Sequence, residues 1–435
     1  MPAIMAFTER MIITGGNPLE GEIRVSGGKN TAVAVIPAIL LSDEPCTIEN
    51  LPDIEDVHAL IDILRHLGAK VTYEPGLFMT VDPRPAEGDT VSFADAQRLR
   101  ASYYFLGALL GRQGKANVAY PGGCVIGSRP IDQHLKGFEA LGTEIDAVGG
   151  MIRAQTDELI GGDVFFDMVT VGATINVMLA AAKAKGTTII YNPAKEPHIV
   201  DLANFLNSMG ADVRGAGTDV IKIYGVDVLH GSTYTIIPDQ IEAGTYLAAA
   251  ATAGGDVTIR NVIPKHLESI TNKLEAAGAE LIEGDDWVRI KRDPATPLRS
   301  INVKTMPHPG FPTDMQPQIT AMLTQAEGTS IVTEGVWDNR FRYADELNRL
   351  GARIQVDGKV AVVVGPTRLK GAPVKATDLR GGAAAVIAGL AAEGTTEVEE
   401  IGHIMRGYDN IVGKLQALGA VIECRTYPDE MPKAL

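Results

Sequence analysis

Leu67-Gly68-Ala69, Leu141-Gly142-Thr143, Met209-Gly210-Ala211, Ala277-Gly278-Ala279, Leu350-Gly351-Ala352 and Leu418-Gly419-Ala420 repeat one local pattern, an apolar helical stretch that ends in glycine and runs into a short β-type segment. The glycines lie 74, 68, 68, 73 and 68 residues apart. Glycine just past an amphipathic helix takes the left-handed conformation without a Cβ clash, and the Val/Ile alternation that follows reads as a strand. Turn residues come next at Glu74-Pro75-Gly76, Gly149-Gly150, Gly215-Ala216-Gly217, Gly284-Asp285 and Asp357-Gly358. Each precedes a second β-type run, the signature of a hairpin. Ahead of each glycine-ended helix lie another strand and, before it, an Ala-rich helix such as Gly244 to Ala253 or Gly382 to Ala392. Any α/β protein has glycines after helices, but six at nearly constant spacing with the same flanking order define an α/β fold of six internal repeats.

The sixth copy stops after Val421-Ile422-Glu423-Cys424 without its second hairpin strand, while the N-terminal region offers unassigned strand-like runs at Met11 to Thr14 and Glu22 to Val25. The two ends of the chain are therefore expected to meet. Two lobes follow: residues 29–238 hold repeats one to three, and residues 1–28 with 239–435 hold repeats four to six plus the N-terminal strands. Gly27-Gly28 and Pro238 are the hinge candidates where the chain crosses between them.

With 435 residues, 45% hydrophobic and 21% charged, the chain is long and apolar enough to bury large cores. A net charge of -15 excludes a general binder of nucleic-acid backbone and leaves room for a local cationic pocket for small anions. Three cysteines, Cys46, Cys124 and Cys424, form no pairing pattern and suit free thiols in a reducing compartment. Cys46 and Cys424, in β-type apolar runs, read as small buried hydrophobes. Met1 to Arg10 lacks a basic segment followed by an apolar core, and apolar runs such as Thr31 to Leu41 are too short to span a bilayer, so a cytoplasmic chain is expected. His58, His66 and His198 read as helix-surface or capping residues. No phosphate loop, dinucleotide fingerprint or metal-ligand spacing is found, and no cofactor is implied.

Equivalent helices in such a repeat point their N-termini the same way, and each N-terminus carries unpaired N–H groups suited to anions. At or just before the Ala-rich helices stand Lys29-Asn30, Arg100, Thr170-Val171-Gly172, Asp314 and Arg380. A second set falls in the strand-to-helix loops: Cys124 and Arg129, Asn339-Arg340, and Arg406. Any one of these arginines alone reads as a solvated charge or a helix cap. Gathered at matched positions in an acidic protein, they point to a site for carboxylate and phosphate groups. Cys124 lies in the glycine-rich Pro121-Gly122-Gly123-Cys124-Val125-Ile126-Gly127-Ser128-Arg129-Pro130, a loop able to expose and activate a thiol. Asp314, in Phe311-Pro312-Thr313-Asp314-Met315-Gln316, reads either as a first-turn helix carboxylate or as a base toward a substrate hydroxyl.

These residues resemble the UDP-N-acetylglucosamine 1-carboxyvinyltransferases, enolpyruvyl transferases of peptidoglycan synthesis, over nearly the whole chain. The resemblance is carried by Gly28-Lys29-Asn30, Arg100-Ala101-Ser102, the Pro121 to Asp132 loop, Val171-Gly172-Ala173-Thr174, Phe311 to Gln316, Asn339-Arg340-Phe341, Asp378-Leu379-Arg380 and Arg406-Gly407-Tyr408. It implies a two-lobed inside-out α/β barrel with three βαβαββ units per lobe. It also implies transfer of the enolpyruvyl group of phosphoenolpyruvate to the 3′-hydroxyl of UDP-N-acetylglucosamine with release of phosphate. By the same resemblance Lys29, Arg129 and Arg406 grip phosphoenolpyruvate, and Arg100, Arg340 and Arg380 support anion binding and lobe closure. Cys124 is implied as general acid toward the methylene carbon, with capacity for a covalent adduct and for alkylation by the epoxide antibiotic fosfomycin. Asp314 is implied as the base. Asn30 and Val336 are implied at the amino sugar, Arg129, Pro130, Ile131, Asp132 and Gln133 at the uridine, and Thr170, Val171 and Gly172 at the diphosphate. Met168 departs from relatives that carry a lysine near the diphosphate. Against the related shikimate-pathway transferase stands the absence of serine-rich segments near Lys29. Against an inactive repeat scaffold stands the presence together of Lys29, Cys124, Asp314 and Arg406.

Overall fold

All six glycine-ended helices close in one way. The glycine N–H donates to the carbonyl three residues back, and the next N–H donates to the carbonyl five back, as in Gly68 to Arg65 and Ala69 to Leu64, or Gly351 to Asn348 and Ala352 to Leu347. This is the Schellman arrangement, which needs a left-handed residue at the glycine. Gly68, Gly142, Gly210, Gly278, Gly351 and Gly419 accordingly have φ between 82° and 105°. The computed structural model in which these features are seen describes residues 7–120 and 131–428.

Each repeat builds a small mixed sheet. Its first two strands pair in parallel through an intervening Ala-rich helix, and a hairpin then adds antiparallel strands. The sheet Asp163–Phe165, Thr187–Tyr191, Val220–Tyr224 and Asp212–Arg214 is one example. There are six such sheets among the described residues, three in each of two compact units. One unit holds Ser26–Asp239 with Pro307–Pro309, and the other holds Met1–Val25, Gln240–Met306 and Gly310–Leu435.

In each unit a strand from outside the consecutive run completes the set. Thr233–Thr235 pairs in parallel with Cys46–Glu49 to serve the first repeat, and Leu19–Arg24 pairs in parallel with Gly255–Arg260 to serve the fourth. The missing hairpin strand of the sixth repeat is Phe7–Thr14, which pairs antiparallel with Val421–Pro428 over its full length. The first and last strands of the described residues thus lie side by side in one sheet. The two hinge candidates also pair with each other: Gly27 bridges Pro238, and Gly28 N–H donates to Ile237 O at 2.8 Å. Ser26–Gly28 and Asp239 thus belong with the unit of the first three repeats.

Helices are inside and sheets outside. Gln240–Ala253, Gln316–Leu323 and Leu379–Ala391 are buried around almost their whole circumference, as are Lys29–Ala38, Tyr104–Gln113 and Val171–Ala181 in the other unit. A helix apolar on every side is stable only when enclosed. The strands alternate instead, as in the exposed-buried pattern of Val220–Tyr224, so each sheet turns one face to the helices and one to water. The helices of a unit run parallel at close quarters. Gly107 abuts Asn176, and Gly111, one turn on, abuts Leu179 and Ala180.

Two expectations are corrected. Cys424 is exposed, not buried, because it lies in the part of its strand where every position from Glu423 to Thr426 faces solvent; Cys46 is buried as expected. His198 is buried in the first turn of Pro197–Ser208, between Pro197 and Ile199, not at a helix surface.

Gly351 tests the helix closure cleanly, because an added Cβ meets nothing nearer than Arg368 O at 3.5 Å, so only the left-handed backbone penalises it. Gly351→Ala is expected to lower stability by about 1–2 kcal/mol in urea unfolding, and Gly351→Asn by less.

Candidate active site

In the unit built from the first three repeats, the candidate groups stand at the N-terminal ends of the enclosed helices. Lys29 opens Lys29–Ala38, its backbone N–H donates to Asp239 Oδ2 at 3.0 Å, and its ammonium pairs with the buried Asp56 at 2.8 Å. Asp56 sits in the first turn of Glu55–His66, so a carboxylate at a helix N-terminus holds the cation in place. Asn30 follows Lys29 in the same turn. Arg100 begins the 3-10 turn Arg100–Tyr103, with its guanidinium 5.9 Å from the Tyr103 ring centroid.

Thr170 caps Val171–Ala181 by accepting from Ala173 N–H, which leaves Val171 and Gly172 in the first turn. Gly172 has to be glycine, since a Cβ there would lie 2.8 Å from the His134 ring and 3.1 Å from Tyr103 Oη. Gln133, in the helix Asp132–Ala140, donates to Asp167 and accepts from Asp167 N–H, tying that helix to the segment that leads to Thr170. Ile131 precedes this helix and Asp132 is exposed at its start. Met168 is 61% exposed and brings no charge to the segment.

His134, one residue past the implied uridine segment, belongs to this cluster and was missed. Asn176 Oδ1 accepts from Gly107 N–H, so its amide nitrogen faces Tyr103 O at 3.1 Å and His134 Nδ1 at 2.8 Å. His134 Nδ1 therefore accepts, and its proton sits on Nε2, beside Gly172. Burial, with the nearby Arg100 charge adding to it, pushes the His134 pKa down to about 3. The signal in the sequence was Asn176, a polar residue in the middle of an apolar helix.

In the other unit, Asp314 lies in the 3-10 turn Thr313–Met315 that leads into Gln316–Leu323. Arg380 Nη2 donates to Asp314 Oδ2 at 3.2 Å, and Arg340 Nη2 lies 3.5 Å from Asp314 Oδ1 and 3.4 Å from Thr313 O. Arg340 Nη1 also lies 3.8 Å from Asp378 Oδ1. Asp378 in turn caps Leu379–Ala391 by accepting from Arg380 and Gly381 N–H. Both arginine residues are only 3% exposed, so neither is the solvated charge a lone arginine suggests. Buried charges persist only when paired, and here two carboxylates balance two arginines. Arg380 also stacks over Tyr408 at 5.2 Å, and Tyr408 Oη meets Thr245 Oγ1 at 2.9 Å. Arg406 is half-buried at the end of the short helix Gly402–Met405, two residues before Tyr408. Val336 is exposed in the loop before Arg340. Asp314, Arg340 and Arg380 are thus brought together. Cys124, Arg129 and Pro130 lie outside the described residues.

Residues 13–415 match the family model described as EPSP synthase (3-phosphoshikimate 1-carboxyvinyltransferase). A UDP-N-acetylglucosamine 1-carboxyvinyltransferase of Caldanaerobacter subterraneus subsp. tengcongensis is 55% identical over 95% of this chain and 99% of its own. One from Clostridium botulinum is 54% identical over the same shares. Among solved structures, the enolpyruvyl transferase NikO from Streptomyces tendae aligns with a TM-score of 0.88 at 29% identity, covering 97% of this chain and all of its own. EPSP synthase from Acinetobacter baumannii aligns at 0.74 and 18% identity over 96% of this chain and all of its own, a likeness of fold. The architecture is therefore the two-lobed inside-out α/β barrel of six βαβαββ repeats, and the protein is a transferase. The chain belongs to the enolpyruvyl transferase family, in the branch of the UDP-N-acetylglucosamine 1-carboxyvinyltransferases.

His134 gives a test with a defined sign. Its folded pKa is held below the unfolded value, so its contribution to stability is complete above about pH 6.5 and is lost as pH falls toward 3. Urea unfolding between pH 6.5 and 5 is expected to lose stability with a slope approaching about 1.4 kcal/mol per pH unit more than in His134→Asn. Equal slopes contradict the neutral buried imidazole.

Proposed function

We propose that this enzyme transfers the enolpyruvyl group of phosphoenolpyruvate to the 3′-hydroxyl of UDP-N-acetylglucosamine and releases inorganic phosphate, the first committed step of peptidoglycan synthesis. The observation that carries the reading is Asp314 held between the buried guanidinium groups of Arg340 and Arg380. A carboxylate held at each oxygen by one guanidinium nitrogen is a pre-oriented base, ready to accept a proton without first ordering itself.

The chemistry is an addition followed by an elimination. Asp314 takes the proton of the sugar hydroxyl as its oxygen bonds to C2 of phosphoenolpyruvate. The double-bond electrons take a proton at C3 from the Cys124 thiol. The tetrahedral product then loses a proton from C3 to the Cys124 thiolate while the C2–O bond to phosphate breaks and the leaving phosphate takes up the proton held by Asp314, which restores the double bond as an enol ether and returns both groups to their starting states. Lys29, Arg129 and Arg406 hold the phosphate and carboxylate, and Arg100, Arg340 and Arg380 supply further positive charge to the anionic intermediate. Lys29 is already aimed by Asp56, so it exchanges one anionic partner for another on binding.

For the nucleotide sugar, Asn30 and Val336 serve the amino sugar, and Arg129, Pro130, Ile131, Asp132 and Gln133 serve the uridine. The capped N-terminus at Thr170, Val171 and Gly172 serves the diphosphate. With Met168 in place of a lysine, that subsite relies on backbone N–H groups. No helix among the described residues is long and apolar enough to cross a membrane. A cytoplasmic location suits the free thiols of Cys46 and Cys424 and two soluble metabolites as substrates.

Phosphate release from phosphoenolpyruvate is expected with UDP-N-acetylglucosamine and not with shikimate 3-phosphate; release with the latter, or with neither, contradicts the assignment. Fosfomycin is expected to add to Cys124, seen as an intact-mass adduct that is lost in Cys124→Ser. That variant should also lose roughly a hundredfold or more in kcat. An adduct that persists in Cys124→Ser assigns the reactive thiol elsewhere.

A further inference from the structure

The repeat itself draws attention to one side chain. In three repeats the residue after the second of the parallel strands is a left-handed asparagine: Asn50 at φ 60°, Asn192 at 57° and Asn261 at 58°. Each side-chain amide donates to the carbonyl just past the first strand of its repeat, at Ile236 O, Phe166 O and Val25 O, over 2.8–3.0 Å. In the fifth repeat the corresponding strand is Ala326–Thr333, and the residue after it is Glu334. The residue just past Val303–Lys304 is Thr305. A carboxylate has no proton to donate, so the tie is inverted, and Thr305 Oγ1 donates to Glu334 Oε1 at 2.7 Å.

The same carboxylate collects three more donors. Oε1 accepts from Val336 N–H at 2.8 Å and Trp337 N–H at 3.1 Å, and Oε2 accepts from Thr313 Oγ1 at 3.0 Å. Thr305 Oγ1 also accepts from Gly335 N–H at 2.8 Å. Glu334 is 1% exposed and is therefore a built element of the interior, not a surface charge. In the sixth repeat the matching Glu400 keeps the left-handed φ of the asparagines, at 58°, but its side chain is half-exposed and pairs with Lys375. The buried fifth-repeat carboxylate, by contrast, joins Thr313, the neighbour of Asp314, to the loop of Val336.

We propose that Glu334 is a positioning residue for enolpyruvyl transfer. Through the Thr313 hydroxyl it fixes the turn that presents Asp314, and through the Val336 and Trp337 N–H groups it fixes the loop that meets the amino sugar. The inference rests on Asp314 as the base and Val336 as a sugar contact, and it adds the group that sets both at one spacing. An acid is required because four donors converge, and no neutral side chain accepts four hydrogen bonds without leaving a proton of its own unplaced.

Thr313→Val removes one link and leaves the rest of the hub in place. Steady-state kinetics by phosphate release on the full chain is expected to give a kcat about tenfold lower, with KM for UDP-N-acetylglucosamine within about twofold. Thr313→Ser, which keeps the hydroxyl, is expected to restore kcat to within about threefold. Glu334→Ala is expected to raise KM for the nucleotide sugar about tenfold as well as to lower kcat, with thermal melting as the control for folding. The proposal is overturned if Thr313→Val keeps the wild-type kcat, or if Thr313→Ser is as impaired as Thr313→Val. If Glu334→Ala does not fold, the Thr313 pair alone decides. Asp314→Asn separates the two layers: full activity there removes the base assignment, whereas its inactivity beside a wild-type Thr313→Val removes the role of Glu334 alone.

Discussion

Everything in this molecule depends on the close parallel packing of three enclosed helices in each unit. Gly107 illustrates how tight it is, since a Cβ there would lie 2.3 Å from Asn176 O. Gly244 is similar, with Met315 and Ile270 about the space its side chain lacks. Helices this close and this apolar leave no room for charge along their length, so charged groups collect at their ends, while a neutral polar group such as Asn176 stays inside with hydrogen-bond partners. Because the helices of a unit run the same way, those ends are N-termini with unpaired N–H groups. The repeat thus concentrates polar chemistry at one end of each unit before any substrate binds.

The Asp314 cluster follows from that arrangement. Arg380 stands in the first turn of Leu379–Ala391, where the helix end disfavours a cation, and it is buried as well. It is tolerable because Asp314 and Asp378 are placed around it and Arg340. The balance makes the base and its supporting charges a single rigid object. The other unit solves a related problem with a neutral group: Asn176 and the deprotonated Nδ1 of His134 complete each other inside the core, and the imidazole stays uncharged beside Gly172.

The repeat and the meeting of the chain ends were legible because the backbone forces them. Six Schellman closures require six glycines, and a hairpin left unfinished at Val421 to Cys424 needs a strand from elsewhere; the sequence offered Met11 to Thr14 and Glu22 to Val25, and the structure pairs the first of these, within Phe7–Thr14, with Val421–Pro428. Cluster geometry was not legible. Asp314 lies 26 residues from Arg340 and 66 from Arg380, and nothing local distinguishes a buried paired arginine from a solvated one. Glu334, between Thr333 and Gly335, reads as an ordinary turn residue, and only comparison across repeats in three dimensions sets it apart. His198 and Cys424 were misjudged for the same reason, since a first turn or a strand end takes its burial from neighbours distant in sequence.

Addition followed by elimination makes a demand that no other route to the same product makes, because C3 of the enolpyruvyl group has to pass through a methyl. Turnover in deuterium oxide with UDP-N-acetylglucosamine, followed by mass spectrometry of the nucleotide-sugar product, tests this directly. Deuterium in the vinyl methylene group is the expected result. Complete turnover with no deuterium at that carbon contradicts the account.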